Sequence, residues 1–131
     1  MADDPYKTSV NALTLAEYES AYLMRLRKPE LALPIHNKVI AAYDPTDIRH
    51  RSFLLARGGK MHAQIGEVKT ACKLLLDSLG ITEQMKSLVM LQRIYQGRVD
   101  LEPWKDRGEV KELDERIVEV YKSLGRVKEL V

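Results

Sequence analysis

The residue types best suited to chemistry in this chain are three histidines, His36, His50 and His62, and one cysteine, Cys72. Imidazole and thiolate are the usual zinc ligands, and a thiol beside an imidazole is a common nucleophile–base pair. Both uses depend on spacing. No two of these residues stand at an H-x3-H or C-x2-C separation, so a zinc centre would need assembly from distant segments, and none is expected. His62 and His36 fit large-residue core positions, and Cys72 fits a small buried one. Nucleophile elbows, phosphate-binding loops and dinucleotide glycine fingerprints are missing from the sequence. The Gly58-Gly59 pair follows no strand, which makes it a poor phosphate cradle. Glu17 with Glu19, and Asp114 with Glu115, read as solvated faces rather than acid–base pairs. The expectation is a chain that is not an enzyme, with no metal and no cofactor. Trp104, beside Pro103 in an irregular segment, either locks the last helix in place or covers a ligand or partner.

The elements that must position these residues are helical. Sustained period-two alternation is missing, whereas apolar residues recur at helical spacing throughout. Thr14-Leu15-Ala16-Glu17 has the form of a capping box, with Leu13 and Tyr18 placed as a staple. It predicts a first helix to about residue 27, with Leu15, Tyr18, Tyr22 and Leu26 on one face. Pro29 suits the first turn of a second helix to about residue 43, in which Pro34 predicts a kink or a delayed start. Asp44-Pro45-Thr46-Asp47 would stop the second helix and supply an N-cap for a third. Gly66 separates it from a fourth over about 68–79, which Gly80 would close. Thr82 would then cap a fifth helix over roughly 83–96, and Asp106 with Glu109 would open a sixth to about residue 124. Six helices with short connections make an all-α fold of antiparallel hairpins.

Length and composition bound the reading. A chain of 131 residues, 31% charged and 45% apolar, has the balance of one globular domain. Its net charge of +2, with both signs interspersed, supplies no basic stripe for nucleic acid. The short clusters Arg25-Leu26-Arg27-Lys28 and Arg49-His50-Arg51 read as solvated faces or helix ends. A lone cysteine suits a reducing compartment. The start MADDPYKTSV has neither the basic nor the apolar region of a signal peptide, and no apolar run approaches a membrane span. The expected location is the cytoplasm.

An internal repeat organises the chain. Shifting the sequence by 39 residues sets Gly66 on Arg27, Gly59 on Ser20, Ile65 on Leu26, Ala71 on Ala32 and Leu74 on Ile35. In each copy a small residue, Ser20 or Gly59, faces an alanine on the partner helix, Ala32 or Ala71. Small residues at matching heights let antiparallel helices approach closely. Gly59 is therefore expected at a helix contact and Gly66 at the real turn, with Gly58 the more tolerant glycine of the pair.

This pattern resembles the tetratricopeptide repeat (TPR). Leu55-x2-Gly58-Gly59-x2-His62 followed by Ala71-x3-Leu75 approximates the family motif, and Gly66-Glu67-Val68 looks like its inter-helix turn. The first copy, with Ala16, Glu19, Ser20, Leu23, Ala32 and His36, is weaker. The resemblance implies a short TPR-like solenoid with one repeat over 14–43, a second over 47–80, and a divergent repeat or capping pair over 83–127. A narrower resemblance links RHRSFLLARGGKMHAQIGEVKTACKLLLDSL and LEPWKDRGEVKELDERI to the C-terminal repeat region of bacterial, actinobacterial-type helix-turn-helix transcription regulators. The DPYKT near the start fits the junction that follows the DNA-binding part of such proteins. These residues leave no room for that domain itself, so direct DNA binding is not expected.

The repeat resemblance also implies a concave groove lined by Glu17, Ala21, Met24 and Arg25 from the first copy and Ala56, Lys60, Ala63 and Gln64 from the second. Such a surface, small in the middle and basic at its ends, suits a peptide, protein or small ligand. A homodimer through the last two helices is a further expectation, since a two-repeat stack leaves apolar ends. The competing reading is a small DNA-binding regulator in which TACKLLLDSLGITEQMKSLVMLQR forms a helix-turn-helix with Gly80 at its turn.

Overall fold

The computed structural model describes the backbone of residues 5–130 and the side chains of residues 12–125. Six α-helices follow in order: α1 (Pro5–Arg25), α2 (Pro29–Ala42), α3 (Ile48–Ile65), α4 (Val68–Met85), α5 (Leu88–Val99) and α6 (Gly108–Leu130), with a 3-10 turn at Glu102–Trp104 before the last. The described residues contain no strand, and the fold is all-α. Two compact units divide the chain, Met1–Pro45 and Thr46–Val131.

The first unit is the hairpin of α1 and α2. The capping box at Thr14 does not start a helix, because α1 already runs from Pro5 and carries Thr14 inside it. Proline is at home in a first helical turn, and no breaker stands between Pro5 and Thr14 to stop the helix. The apolar residues expected to share one face of the first helix do not face the core. Leu15, Tyr18, Tyr22 and Leu26 are exposed, and the buried positions are Ser20 and Met24. Ser20 satisfies its hydroxyl on the Glu17 carbonyl at 3.0 Å. On α2 the buried residues are Pro29, Ala32, His36 and Val39. Pro34 neither delays nor interrupts α2, whose first turn closes on the Lys28 carbonyl from Leu31 and Ala32.

The second unit contains α3 to α6. Asp47 caps α3 by accepting the His50 N–H at 3.0 Å, as its sequence position predicts. Gly66 ends the helix in the left-handed region, with φ 91°. Its N–H bonds the Ala63 carbonyl and the Glu67 N–H bonds the His62 carbonyl. Arg27, its partner in the repeat alignment, is also left-handed at φ 55°. There the Arg27 and Lys28 N–H groups bond the Met24 and Leu23 carbonyls, the same offsets as at Gly66. The repeat is thus a repeat of backbone geometry as well as of residue size.

The ends of α4 and α5 depart from the sequence reading. Gly80 neither caps nor turns, since α4 runs through it to Met85 and ends at Lys86, left-handed at φ 53°. Thr82 is buried inside the helix and donates its hydroxyl to the Ser78 carbonyl at 2.8 Å, so it caps nothing. Burial of Leu75, Leu79 and Thr82 outweighs the roughly 1 kcal/mol that a mid-helix glycine costs. The cap of α5 is Ser87, which accepts the Met90 N–H at 3.2 Å. The opening of α6 likewise falls after Asp106, with Val110 and Lys111 donating to the Arg107 carbonyl.

Within this unit α3 and α4 form the tightest hairpin, α5 packs on α3, and α6 packs on α4. That pairing is consistent with a stacked array of helices. One continuous core joins Ala56, Ala63, Ala71, Leu75 and Leu79 to Leu91, Ile94, Leu101, Val110 and Leu113. At the far end of the α3–α4 hairpin the Ser52 and Ser78 hydroxyls lie 2.9 Å apart and fully buried. Each also reaches the other's carbonyl, Ser52 at 3.3 Å and Ser78 at 2.9 Å.

The left-handed positions give two substitutions of opposite sign. A side chain in that region costs about 1–2 kcal/mol. Lys86→Gly is expected to stabilise the second unit by about 0.5–1 kcal/mol, and Gly66→Ala to destabilise it by about 1 kcal/mol. Urea unfolding followed by Trp104 fluorescence reads both. Equal midpoints would mean that these turns are not held as described.

Candidate functional site

On α3 the expected groove residues share one side of the helix but do not line an open surface. Ala56 and Ala63 are 3% and 1% exposed, and they belong to the core on which Leu91 and Ile94 of α5 pack. The small side chains that would leave space for a ligand instead leave space for the next helix. Lys60 and Gln64 flank that contact and are both engaged by one carboxylate. Lys60 Nζ lies 2.7 Å from Asp100 Oδ2, and Gln64 Nε2 donates to the same oxygen at 3.0 Å.

Lys60 also donates to the Gln96 carbonyl at 3.2 Å. A cation at the end of α5, where carbonyls lack helical partners, is favoured by the helix dipole. The Asp100 side chain is only 8% exposed, so the basic end expected at Lys60 is neutralised within the fold. Asp100 was not legible as a site residue, because its role depends on α5 crossing α3.

The first-copy residues lie on α1, in the other unit. Met24 is buried, Glu17 and Ala21 are half-buried, and Arg25 is exposed. Of the residues kept for repeat structure, Ser20, Ala32 and Ala71 are fully buried. Gly59 is buried against α4: a Cβ there would fall 2.7 Å from Leu75 Cγ and 3.3 Å from the Ala71 carbonyl oxygen.

Trp104 packs over the α3–α4 turn, 3.8 Å from where a Gly66 Cβ would stand, and against the core. It ties the 3-10 turn to that hairpin. A second tie joins α5 to α6. Arg98 donates from Nε and Nη2 to the two carboxylate oxygens of Asp114, and from Nη1 to Glu102 at 3.0 Å. The bidentate Asp114 contact holds the guanidinium even more firmly protonated than usual. A third tie links α6 to α4, where Arg116 bonds Glu83 at 2.8 Å and holds that carboxyl below the ordinary range.

The residues that could do chemistry are dispersed. His36 is buried on α2, while His62 on α3 sets Nδ1 3.3 Å from the Glu67 carboxylate. Among the described residues no group of three His, Cys, Asp or Glu side chains converges as a metal site would require. Cys72 is buried in the core, and burial, with the Glu109 charge adding to it, pushes its thiol above the ordinary value. A thiol reagent is therefore expected to modify the folded chain far more slowly than the urea-unfolded chain. Equal rates would show that the α4 core opens freely.

One stretch of uncovered apolar surface in the second unit lies on α5. Leu88, Val89, Tyr95 and Val99 are 41%, 54%, 60% and 54% exposed, and their spacing puts them on one side of the helix with Gln92 and Gln96. Neither arginine of α5 sits freely on that side: Arg98 is held by Asp114 and Glu102, and Arg93 lies over the Phe53 ring at 5.9 Å. Among the described residues no helix is long and apolar enough to cross a membrane. Comparison with protein-family models, curated proteins and solved structures gives no match.

Proposed function

We propose that the chain is a non-enzymatic helical-repeat interaction module that binds a protein or peptide partner. The two resemblances read in the sequence extend this to the sensor, partner-binding or dimerisation part of a bacterial transcription or signalling regulator. The observation that carries it is the α5 face: large apolar side chains and two glutamines stand exposed on a helix whose opposite side is anchored in the core. Exposed contiguous apolar surface of this kind marks contact sites. The interaction surface thus shifts from the α3 positions to α5.

The reading that competes with it, a helix-turn-helix around Gly80, loses its turn because Gly80 lies inside α4. Fluorescence-anisotropy titration against a random peptide library and against duplex DNA tests the choice. Peptide binding that persists at raised salt and is lost in Tyr95→Glu is the expected result. Tight DNA binding that falls steeply with salt would overturn it.

A further inference from the structure

The α1 helix carries a second apolar stripe, independent of α5. Leu15, Tyr18, Tyr22 and Leu26 are 66%, 69%, 61% and 46% exposed. Their spacing is that of one helical seam, with steps of three, four and four residues. The opposite side of α1 is the one that holds the hairpin, through Ser20 and Met24. The stripe is therefore not an incompletely packed part of the α1–α2 contact. It points directly away from it.

The size of the unit bears on what covers the stripe. Among the described side chains, its buried apolar residues are Met24, Ala32 and Val39, joined by Pro29, Ser20 and His36. A two-helix hairpin is near the size below which folding ordinarily needs disulfides, a metal or oligomerisation. The chain has one cysteine, Cys72, and it lies in the other unit. A second copy of the same chain is a partner of that kind that is always available.

The area fits. At about 200 Å² for a fully exposed large side chain, the four residues present on the order of 500 Å². Twofold pairing of two such stripes buries about 1,000 Å² before any rim is counted, which is the threshold for a specific interface. The composition fits as well: two tyrosines stand at the centre of the stripe, the kind of residue enriched at interface cores, and its charged neighbours Glu19 and Arg25 lie at its edges.

We infer that the chain forms a symmetric homodimer in which α1 packs on α1 of a second copy through Leu15, Tyr18, Tyr22 and Leu26. This rests on the reading of the chain as an interaction module and assigns its self-association to α1, leaving the α5 face for a different partner. Light scattering on the full chain across a wide concentration range tests it. The expected mass is twice the 15.0 kDa of one chain. The double variant Tyr18→Glu/Tyr22→Glu should be a monomer that keeps the wild-type helical circular dichroism of α3 to α6, and Tyr95→Glu should remain a dimer. A wild-type monomer at every concentration would overturn the inference. So would a dimer unmoved by the α1 substitutions, or one lost in Tyr95→Glu alone. Peptide binding by the monomeric α1 variant would still uphold the interaction reading, so the two can fail separately.

Discussion

Gly59→Leu is expected to remove about 3 kcal/mol or more from the stability of the second unit, and Gly59→Ala to remove about 1–3 kcal/mol. Helix propensity alone predicts the opposite for alanine, a gain of about 1 kcal/mol over glycine. Packing decides the sign. The first added carbon would stand 2.7 Å from Leu75 Cγ, the branch point of that side chain rather than its mobile end. A backbone atom, the Ala71 carbonyl oxygen, lies 3.3 Å away on the same side. Neither can turn aside, so α3 and α4 must separate. Gly80→Ala is the matched control. Gly80 is exposed within α4 and nothing lies within 4 Å of its added carbon, so alanine should stabilise there by up to about 1 kcal/mol. Urea unfolding with Trp104 fluorescence reads the second unit, because it holds the only tryptophan of the chain. A Gly59→Leu midpoint equal to the wild type would mean that the glycine is not a helix contact. A destabilising Gly80→Ala would return Gly80 to a turn.

These glycines show which features were legible in the sequence. Gly59 and Gly66 could be placed because the repeat compared them with Ser20 and Arg27, and two copies of one geometry constrain each other. The cap of α3 was legible to within the segment Asp44-Pro45-Thr46-Asp47, because a cap acts within three residues. The failures share a cause. Thr14 and Thr82 look like caps in isolation, but a threonine inside a helix meets its needs locally, as the Thr82 bond to the Ser78 carbonyl shows. A local signal then cannot tell a helix start from a helix interior. The α1 stripe was legible as a face but not in its surroundings. Periodicity puts Leu15, Tyr18, Tyr22 and Leu26 on one face of a helix and is silent on whether anything covers it. At Ala56 and Ala63 the same ambiguity runs the other way, since small residues suit a ligand groove and a neighbouring helix equally. Only the placement of α5 separates the two, and with it came Asp100, whose contacts to Lys60 and Gln64 span 40 and 36 residues of chain.

Leu75→Ala should be the most damaging truncation in the second unit, at about 2–5 kcal/mol. Leu75 is completely buried and stands between two glycines on different helices. Its Cγ lies 2.7 Å from the Cβ position of Gly59 on α3, and its Cδ2 lies 3.0 Å from that of Gly97 on α5. One side chain of α4 therefore fills the space that both glycines vacate, and its loss opens a cavity shared by three helices. Relaxation should be limited on the Gly97 side, where an added Cβ would stand 3.6 Å from the Lys60 backbone nitrogen. The consequence is strong coupling. Once Leu75 is alanine, the collision that penalises Gly59→Ala disappears, and the added methyl occupies part of the cavity. The double variant should be at least about 1 kcal/mol more stable than the sum of the single effects predicts. A urea-unfolding cycle over the wild type, the two single variants and the double variant measures that difference. Additive effects would mean that Gly59 and Leu75 do not meet, and the close approach of α3 to α4 would have to be explained by the Ser52–Ser78 end of the hairpin alone.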